Sequence, residues 1–503
     1  APVRDSPERM YPSGAEELRR TSLGCAGSIN FDLPDDRVSQ RPPERCGGMR
    51  DCQTLRRLIG ARIGAEIRLK RCFLCCDNNL QKLLDRRVDR LEDQVTQLDP
   101  LLPSEQKQGA LLEKCHDLIR ASERLAGLGQ NTGAMQELAR LLKAMNSYYS
   151  NRIEGEHTRP VEIERALAKR FSPDSEKARL QRLALAHIET EQWLLQTPPD
   201  RAEVYSAATL ADIHRHLFSQ LPAADRFVVM RNDQGEEIER IVAEPGAFRS
   251  RQVAVARHLP PSPVALPAML DRWSSEYRRV RRGEAQVLAV AASHHRLAWI
   301  HPFLHGNGRT ARLHSHSAFR AMGLTTGLWS PLRGLARRAT EYAEHLANAD
   351  MPRMNDLDGR GQRSERMLVA WCDFFLDTCL DQVRFMSAML NLGEIQDRIA
   401  ALIAFECRGD VRSPLMSTIP ALRLLFNSGS MARGDFVAVC GLSPRAGSDV
   451  IQRLLQLGLL VSDSPKGQIR FGAPLAGLRF LFPSLWPEAE ADAELARGEA
   501  ANG

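Results

Sequence analysis

The chain has 503 residues, enough for about two to four folded units, because a single hydrophobic core usually stops growing near about 250–300 residues. Its 43% hydrophobic and 26% charged residues are ordinary globular values, which exclude collagen-like, wholly disordered and coiled-coil-only chains. The 68 Lys and Arg residues against 62 Asp and Glu residues give a net charge of +6. This mild excess permits contact with nucleic acid but does not by itself argue for it.

Residues 1–80 are the least domain-like part of the chain. They are rich in Arg and Pro, weakly periodic, and contain six of the 11 cysteines. We expect a disordered leader, or upstream sequence outside the working protein. A small metal-binding extension on Cys72, Cys75 and Cys76 is the less favoured alternative, because no second pair of Cys or His residues stands at zinc-ligand spacing.

The rest of the chain divides, by its periodicity, into an N-terminal helical segment, a separate helix, a nearly all-helical domain, a C-terminal unit and a tail. The predicted bounds are 81–132, 133–160, 161–390, 395–487 and 488–503. The expected fold class is mainly α, and the Ala- and Glu-rich tail is expected to be frayed. Within the helical domain, the segment 227–257 has turn signals at Asp233-Gln234-Gly235 and at Pro245-Gly246, and its end, 251–257, alternates apolar and polar side chains. This pattern predicts a short inserted β-hairpin.

Neither a membrane-spanning nor a secretory segment is expected. The most apolar stretch, 285–300, is interrupted by Ser293, His294, His295 and Arg296, so it falls short of the run of about 18 apolar residues that spanning requires. The first residues lack the basic and apolar segments of a secretory signal. We therefore expect a cytoplasmic protein with reduced thiols and no membrane partner.

The C-terminal unit has the pattern of a winged helix-turn-helix. Its helical segments are expected at 394–407, 418–427, 431–438 and 443–457. An apolar strand, a Ser-Asp-Ser-Pro-Lys-Gly turn and a second strand follow. Arg445 and Arg453 on the last helix, with Lys466 and Arg470 on the wing, are candidates for contact with DNA. A protein–protein module is equally open, as is a homodimer.

The stretch that carries chemistry is residues 301–312, His-Pro-Phe-Leu-His-Gly-Asn-Gly-Arg-Thr-Ala-Arg. Gly306, Asn307 and Gly308 tolerate tight or positive-φ backbone, and a helical pattern follows at once. A turn of this kind opening a helix forms an anion nest, because free backbone N–H groups and the helix dipole point at one place. Arg309 and Arg312 stand on the first turns of that helix, so the pattern suits a polyphosphate.

His301 precedes the nest, within reach of a bound anion. Its imidazole could take a proton from an attacking hydroxyl near neutral pH. The histidines around it, His294, His295, His314 and His316, raise the question of a zinc site. We expect them to be packing or hydrogen-bonded residues instead, since no HExxH pattern or Asp partner accompanies them.

This string resembles the motif of the Fic family, His-x-Phe-x-Asp/Glu-Gly-Asn-Gly-Arg-x-x-Arg, at seven of its eight fixed positions. The resemblance covers roughly residues 108–390 and implies an all-helical Fic domain. Members of the family mostly transfer AMP from ATP to a hydroxyl of a target protein. The resemblance therefore implies a protein adenylyltransferase with ATP as substrate and a target protein with an exposed Ser, Thr or Tyr as partner.

The resemblance also implies a role for each motif residue. His301 would be the general base, and Phe303 would pack the motif against the core. Gly306, Asn307 and Gly308 would cradle the α- and β-phosphates. The two arginines that follow, Arg309 and Arg312, would bind the β- and γ-phosphates. Attack at the α-phosphorus would release pyrophosphate.

The chain departs from the motif at His305, where the family has the Asp or Glu that ligates Mg²⁺. Mg²⁺ prefers oxygen ligands, so a neutral imidazole is a poor substitute and Mg²⁺ is in question. Either metal binding is weak, or the phosphates alone hold the ion, or the donor or reaction differs. A protonated His305 that partly replaces the cation is a further alternative.

A second element of the resemblance is the stretch 150–155, Ser-Asn-Arg-Ile-Glu-Gly. It fits the Ser/Thr-x-x-x-Glu-Gly/Asn signature of the inhibitory helix found in many Fic proteins. The resemblance implies that Glu154 pairs with Arg312 and so removes the guanidinium that orients the γ-phosphate. A helix end with an exposed Glu is the structural alternative.

The segment 245–258 falls where Fic proteins have a flap that holds the target. An exposed strand there could pair with an extended target segment, and Phe248 and Val253 are the candidates for positioning it. A solvent-facing hairpin without a partner is equally open.

Two rivals to AMP transfer remain: a nucleotide-binding transcriptional regulator with little catalysis, and transfer of another phosphate-containing group.

Overall fold

The computed structural model describes most of the chain after its N-terminal region. The described residues are 93–128, 133–231, 237–255, 258–281, 283–390, 392–489 and 491–492. The leader predicted at 1–80, with its cysteines, lies outside them. The described residues are mainly helical, as predicted.

The α-helices are named here in chain order. They are α1 (Glu105–Leu128), α2 (Gly133–Ile153), α3 (Pro160–Leu167), α4 (Ser175–Gln196), α5 (Ala207–Ser219), α6 (Leu266–Arg279), α7 (Gly283–Ile300), α8 (Asn307–Ala321), α9 (Leu332–Arg337), α10 (Ala339–Ala349), α11 (Glu365–Met389), α12 (Leu392–Glu406), α13 (Ile419–Ser428), α14 (Arg433–Cys440), α15 (Pro444–Gln456) and α16 (Leu478–Leu481). Among the helices of the described stretches, none combines the length and apolar character needed to cross a bilayer.

Helix α7 lies at the centre of the helical region. It contacts α1, α6, α8 and α11, and nearly all of its side chains from Val287 onward are buried. A helix that is enclosed on all sides must be apolar all round, which explains its run of Ala, Val and Leu. Trp371 of α11 donates its indole N–H to the Ala291 carbonyl at 2.7 Å. The end of α7 at Ile300 is therefore held in the core, and the motif loop starts from a fixed point.

The hairpin predicted within 227–257 is confirmed, but its strands precede the alternating stretch 251–257. Strand β1 (Phe227–Arg231) pairs antiparallel with β2 (Glu237–Val242). The segment after it, expected as a flap strand at 245–258, has only isolated bridges among its described residues, one of them between Phe248 and Phe303. The flap-strand prediction was wrong because Gly246, with a φ of +80°, turns the chain away from the ladder.

The C-terminal unit consists of α12 to α16 and a three-stranded antiparallel sheet. Its strands are β3 (Ser430–Met431), β4 (Leu460–Val461) and β5 (Ile469–Phe471), with β5 in the middle. The four predicted helices correspond to α12, α13, α14 and α15 within two residues at each end. In α15, a Cβ on Gly447 would collide with the Val437 side chain, so this glycine allows α14 and α15 to pack closely.

Helix α2 contacts both the helical region and the C-terminal unit. It contacts α4, α8 and α9 on one side and α13 and β5 on the other. Glu488, from the tail that we expected to be frayed, also lies against it and accepts a hydrogen bond from the Tyr149 hydroxyl at 2.7 Å. Residues 493–503 lie outside the described residues, so the fraying expected for 488–503 stays a prediction.

A buried polar cluster lies between α2, α4 and α8. Glu191 is 1% exposed, and its Oε1 accepts a hydrogen bond from Asn146 Nδ2 at 2.8 Å. Nitrogens of His187 and His316 lie 4.0 Å from its two oxygens. Burial raises the pKa of Glu191 to about 8, and burial lowers the pKa of His187 to about 3 and of His316 to about 4. All three side chains are therefore neutral at pH 7.

The raised pKa of Glu191 predicts a pH-dependent stability. Between its ordinary pKa of about 4.3 and its folded value, the unfolded chain releases the proton and the folded chain keeps it, so stability falls as pH rises. Glu191→Gln should remove this loss. Its free energy of unfolding relative to the parent should increase from pH 5 to pH 8 by up to about 1.4 kcal/mol per pH unit.

Urea unfolding of both proteins at pH 5, 6, 7 and 8 measures the difference. Glu189→Gln, on the exposed face of the same helix with a side chain 45% exposed, is the matched control and should show no such trend. A pH-independent difference for Glu191→Gln would contradict the raised pKa.

Candidate active site

The loop between α7 and α8 is closed by Asn307. Its side-chain oxygen accepts a hydrogen bond from the Phe303 N–H at 2.8 Å, and its side-chain nitrogen donates to the Phe303 carbonyl at 2.8 Å. Gly306 has a φ of +76°, and a Cβ there would collide with the Phe218 ring. The side chain of Asn307 thus shapes the loop, and only the backbone N–H groups of the first turn of α8 remain to bind an anion.

The place predicted for a phosphate is taken by the carboxylate of Glu154. A Cβ on Gly308 would collide with Glu154 Oε1 and would lie 3.0 Å from Arg312 Nη1. Because Gly308 has no side chain, an anion can come directly against the N-terminus of α8, where the helix dipole stabilises negative charge. The carboxylate therefore stands where the sequence predicted an anion.

Arg312 holds that carboxylate. Its Nη2 lies 2.7 Å from Glu154 Oε1, and Arg312 is 1% exposed. The same guanidinium donates to the Ser150 hydroxyl at 3.1 Å and to the Ser150 carbonyl at 2.9 Å. Burial opposes ionisation of Glu154, but the charges of Arg312 and Arg309 outweigh it and hold its pKa below the ordinary value. Glu154 is therefore ionised at neutral pH.

Arg309 is held by a second acid, which the sequence analysis missed. Its guanidinium forms an ion pair with Glu156 and donates to the side-chain oxygen of Asn151 at 2.8 Å. Glu156 also pairs with Arg179 at 2.9 Å. The sequence did contain a signal for Glu156. It follows Glu154 by two residues, so both acids lie in the turn directly after α2.

His301 lies where α7 has just ended. It has a φ of +50°, a left-handed backbone that is strained for any residue other than glycine. The side chain is half-buried. Burial, with smaller contributions from His258 and Arg249, lowers the pKa of its imidazole to about 3. The ring is therefore neutral at physiological pH and has a lone pair available for a proton.

Arg249 is a further residue of the site that sequence reasoning missed. It is 4% exposed, and its Nε donates to the His301 carbonyl at 2.8 Å. Its backbone N–H donates to the Pro302 carbonyl at 2.9 Å. No periodicity marks an arginine in an irregular segment as buried, so the sequence carried no signal for it.

The two predicted target-positioning residues lie in the same segment. Phe248 packs on Phe303, with ring centroids 5.2 Å apart, and Val253 is partly exposed. The structure thus brings Phe248 beside the motif, while Val253 stands farther along towards solvent. A role of either residue in target binding stays a prediction.

His305 lies at the position of the expected metal-ligating acid. Its ring meets the Phe218 ring edge-on, with centroids 5.7 Å apart. Burial, assisted by the charge of Arg309, lowers the pKa of His305 to about 4. The ring is therefore neutral while no phosphate is bound, and a protonated His305 acting in place of a cation beside phosphates stays a prediction.

The described residues do not fit a magnesium ion at this site. Mg²⁺ needs oxygen ligands, whereas the motif offers an imidazole and the nearby carboxylates, Glu154 and Glu156, are paired with arginines. Within the described stretches, no group of three or more His, Cys, Asp or Glu side chains is arranged to hold a metal ion.

Of the other histidines near the motif, His294, His295 and His314 form hydrogen bonds, while His316 packs in the buried cluster around Glu191. His294 bonds to the Ser315 hydroxyl at 2.7 Å and to the Tyr342 hydroxyl at 2.9 Å. His314 bonds to the Val204 carbonyl at 2.9 Å. These contacts join α7, α8 and α10 to their neighbours, as the packing interpretation expects.

The candidate DNA-contacting residues are only partly free. Arg445, Arg453 and Lys466 are exposed. Arg470 pairs with Asp463 at 2.6 Å within the same unit. A DNA contact therefore stays a prediction that depends on the first three.

Comparison with known proteins places the motif within a recognised domain. A Fic/DOC family model matches residues 204–318, a stretch that includes the whole string 301–312. The match does not include Glu154, α2 or the C-terminal unit.

Related sequences and structures are distant. The chain is 42% identical over 74 residues to the protein adenylyltransferase Fic of Drosophila willistoni, covering 14% of each chain. It is 27% identical over 168 residues to that of Nematostella vectensis, covering 33% of this chain and 35% of the relative. Similar solved structures include a Fic family protein from Desulfovibrio desulfuricans (TM-score 0.41, 16% identity, 72% of this chain and 96% of that one). Another is Fic-1 from C. elegans (TM-score 0.42, 17% identity, 55% and 71%).

Proposed function

Starting from the Fic/DOC domain at residues 204–318, we propose that this protein is an adenylyltransferase that transfers AMP from ATP to a Ser, Thr or Tyr hydroxyl of a target protein. We propose further that Glu154 and Glu156 restrain it. The observation that carries the proposal is the carboxylate of Glu154 at the N-terminus of α8, bound by Arg312. A site that holds one anion there with a buried guanidinium has the charge needed for a phosphate.

The charge pattern supports a polyphosphate rather than a single anion. Two buried arginines, Arg309 and Arg312, face two acids, Glu156 and Glu154. If both acids leave, two guanidiniums and the first-turn N–H groups of α8 face the same space. That set provides several charged and N–H donors for the oxygens of a nucleoside triphosphate.

The reaction follows from these positions. A target hydroxyl attacks the α-phosphorus of ATP, and its proton passes to the neutral imidazole of His301. The new bond joins the hydroxyl oxygen to phosphorus, and the bond from phosphorus to the bridging oxygen breaks, so that pyrophosphate leaves. A bound triphosphate would raise the low pKa of His301, because an anion favours the protonated ring. The arginines stabilise the charge that builds on the phosphates.

Because the described residues at and around position 305 do not fit Mg²⁺, the proposed reaction contains no step that depends on this ion. This same observation favours a second candidate, transfer of another phosphate-containing group from a donor that does not need a metal held by an acid. Mass spectrometry after incubation with ATP or with other phosphate-containing donors distinguishes the two by the mass added. The third reading, a nucleotide-binding regulator, predicts no added mass with any donor.

Removal of the restraining acids should increase transfer. Glu154→Gly should raise incorporation of label from ATP labelled at the α-phosphate by about ten-fold or more, since it frees Arg312. Because Glu156 still neutralises Arg309, the double variant Glu154→Gly with Glu156→Gln should exceed the single variant by several-fold. Labelled protein is measured after electrophoresis.

Two controls accompany this test. His301→Ala in the double variant should abolish labelling, and Glu176→Gln should have no effect, because Glu176 pairs with Arg179 on the surface rather than with Arg309. No labelling by either relieved variant would reject adenylyl transfer.

Replacement of His305 tests the metal separately. In the Glu154→Gly background, His305→Glu should add the oxygen ligand that Mg²⁺ prefers. The rate should then depend on Mg²⁺ more steeply than in the background, with a gain of about ten-fold at saturating Mg²⁺. A titration of Mg²⁺ at fixed ATP measures both. An equal Mg²⁺ dependence in the two proteins would mean that position 305 does not determine metal use.

A further inference from the structure

Arg249 bonds to backbone on both sides of His301. Its guanidinium donates to the carbonyls of His301 at 2.8 Å, Arg251 at 3.2 Å, Pro261 at 2.5 Å and Ile300 at 3.4 Å. A buried guanidinium that is bonded to four carbonyls fixes those carbonyls relative to one another.

The backbone of His301 needs such support. A non-glycine residue at a φ of +50° persists only where its surroundings determine it. Arg249 supplies this from the segment that follows the β1–β2 hairpin, and its N–H also bonds to the Pro302 carbonyl. The same residue thus joins that segment to the turn in which His301 lies.

We propose that Arg249 is a positioning residue, which holds the strained backbone of His301 and sets the segment 245–255 against it, so that base and target hydroxyl are presented together. This proposal rests on the proposed function. Arg249 acts through His301 and does not touch Gly306 to Arg312 in any of these bonds. Its loss should therefore affect the chemical step and not nucleotide binding.

Arg249→Met and Arg249→Lys in the Glu154→Gly background test this. Both variants should lower kcat by about 100-fold, because a misplacement of the base by about 1 Å can slow the chemical step by this factor. The KM for ATP should stay unchanged. The groups that act on the charge of His301 are His258, Arg249 and Glu154. Loss of the cation in the Met variant should raise the pKa of His301 and move the acid limb of the pH–rate profile upwards. The Lys variant should not shift that limb.

An NMR titration of the His301 ring gives a readout that does not depend on transfer. If the Glu154→Gly protein transfers nothing, the proposed function fails, and the titration still decides on Arg249. A folded Met variant with an unchanged His301 resonance and pKa would overturn the proposal, as would an unchanged kcat. Arg240→Met, at an exposed arginine of β2 that pairs with Glu237, is the control and should leave all three quantities unchanged.

A separate set of contacts concerns residues 484–489 and 491–492, here called the C-terminal latch. Glu488 accepts hydrogen bonds from the Tyr149 hydroxyl at 2.7 Å and from Arg152 Nη1 at 2.8 Å. Both partners belong to the last turns of α2, directly before Glu154. The ring of Trp486, which is fully buried, lies 5.6 Å from that of Tyr148.

Asp492 holds the chain on the other side of Glu154. It accepts from Arg159 Nε at 2.5 Å and from the Val161 N–H at 2.8 Å. Helix α3 begins at Pro160 and has no side-chain cap of its own, so Asp492 caps it from a distant part of the chain. The turn that carries Glu154 and Glu156 is thus held at both ends by the latch.

The latch is itself anchored to the helical region. Arg333 of α9 donates to the Ser484 carbonyl at 2.8 Å and to the Leu485 carbonyl at 3.1 Å. Because the latch follows α16 directly, any displacement of the C-terminal unit would act on Glu488 and Asp492.

We propose that the C-terminal latch controls the restraint, by holding the turn between α2 and α3 so that Glu154 and Glu156 stay on the motif arginines. This proposal also rests on the proposed function. It makes the docking of the C-terminal unit the regulatory element of the protein.

The double variant Glu488→Gln with Asp492→Asn tests the latch in the full chain. Transfer from labelled ATP should rise by about five-fold or more over the parent. In the Glu154→Gly, Glu156→Gln background the same pair of changes should add nothing, because the latch acts only through those acids. A rise of equal size in both backgrounds would overturn the proposal.

Amide hydrogen exchange tests whether the latch holds residues 150–161, and this readout does not depend on transfer activity. The backbone N–H groups of 150–161 should exchange faster in the double variant, while those of α7 stay protected. Asp397→Asn is the control, because it removes an exposed acid of the C-terminal unit that pairs only with Arg423 in that unit. Unchanged exchange at 150–161 would overturn the latch. If no variant transfers label but exchange does increase, the proposed function fails and the latch stands.

Discussion

The ion pair between Glu154 and Arg312 is the contact on which the geometry of the site depends. Arg312 is almost fully buried, and a buried cation without a counter-charge would destabilise the fold by about 3–5 kcal/mol. The carboxylate of Glu154 supplies that counter-charge, and the hydroxyl and carbonyl oxygens of Ser150 accept further hydrogen bonds from the guanidinium. A polyphosphate could satisfy the same groups, so under the proposed function one arrangement would serve both a stable resting protein and a nucleotide site. Glu154 and the nucleotide would then compete for one set of donors.

Helix α2 connects this ion pair to the rest of the molecule. It delivers Ser150, Asn151 and the turn that bears the two acids. Its other face contacts α4 through the neutral cluster around Glu191, and its last turns meet the C-terminal unit. The acids are therefore presented by a helix that two separate parts of the chain hold in place. A change in either part can reach the motif arginines without any change in the motif.

The other side of the site, the loop from His301 to Asn307, is held by hydrogen bonds to backbone and by left-handed backbone angles, and not by ion pairs. Asn307 closes the loop after α7, Gly306 adopts a left-handed backbone, and His301 is held in the same region by a buried arginine. Each of these residues is bonded to backbone, so the base and the N-terminus of α8 are fixed relative to each other before any ligand binds. Such preorganisation is what group transfer by positioning requires.

The sequence by itself determined many of the helices, the motif and one of the acids that pair with the motif arginines. Periodicity places helices such as α13 and α15 to within two residues, because an amphipathic or buried stripe repeats along the chain. The order of His301, the Gly-Asn-Gly turn and two arginines points to a phosphate site, because those residues are neighbours in sequence. Glu154 was found through a local signature of the same kind.

Only the tertiary structure decided the contacts between segments that are far apart in sequence. Glu156 opposite Arg309, Arg249 behind His301, and Glu488 and Asp492 beside the end of α2 are pairings of residues more than 45 positions apart. No local pattern encodes them, since they arise when helices pack. The flap strand failed for the same reason: alternation permits a strand, but a ladder forms only where a partner strand is in register.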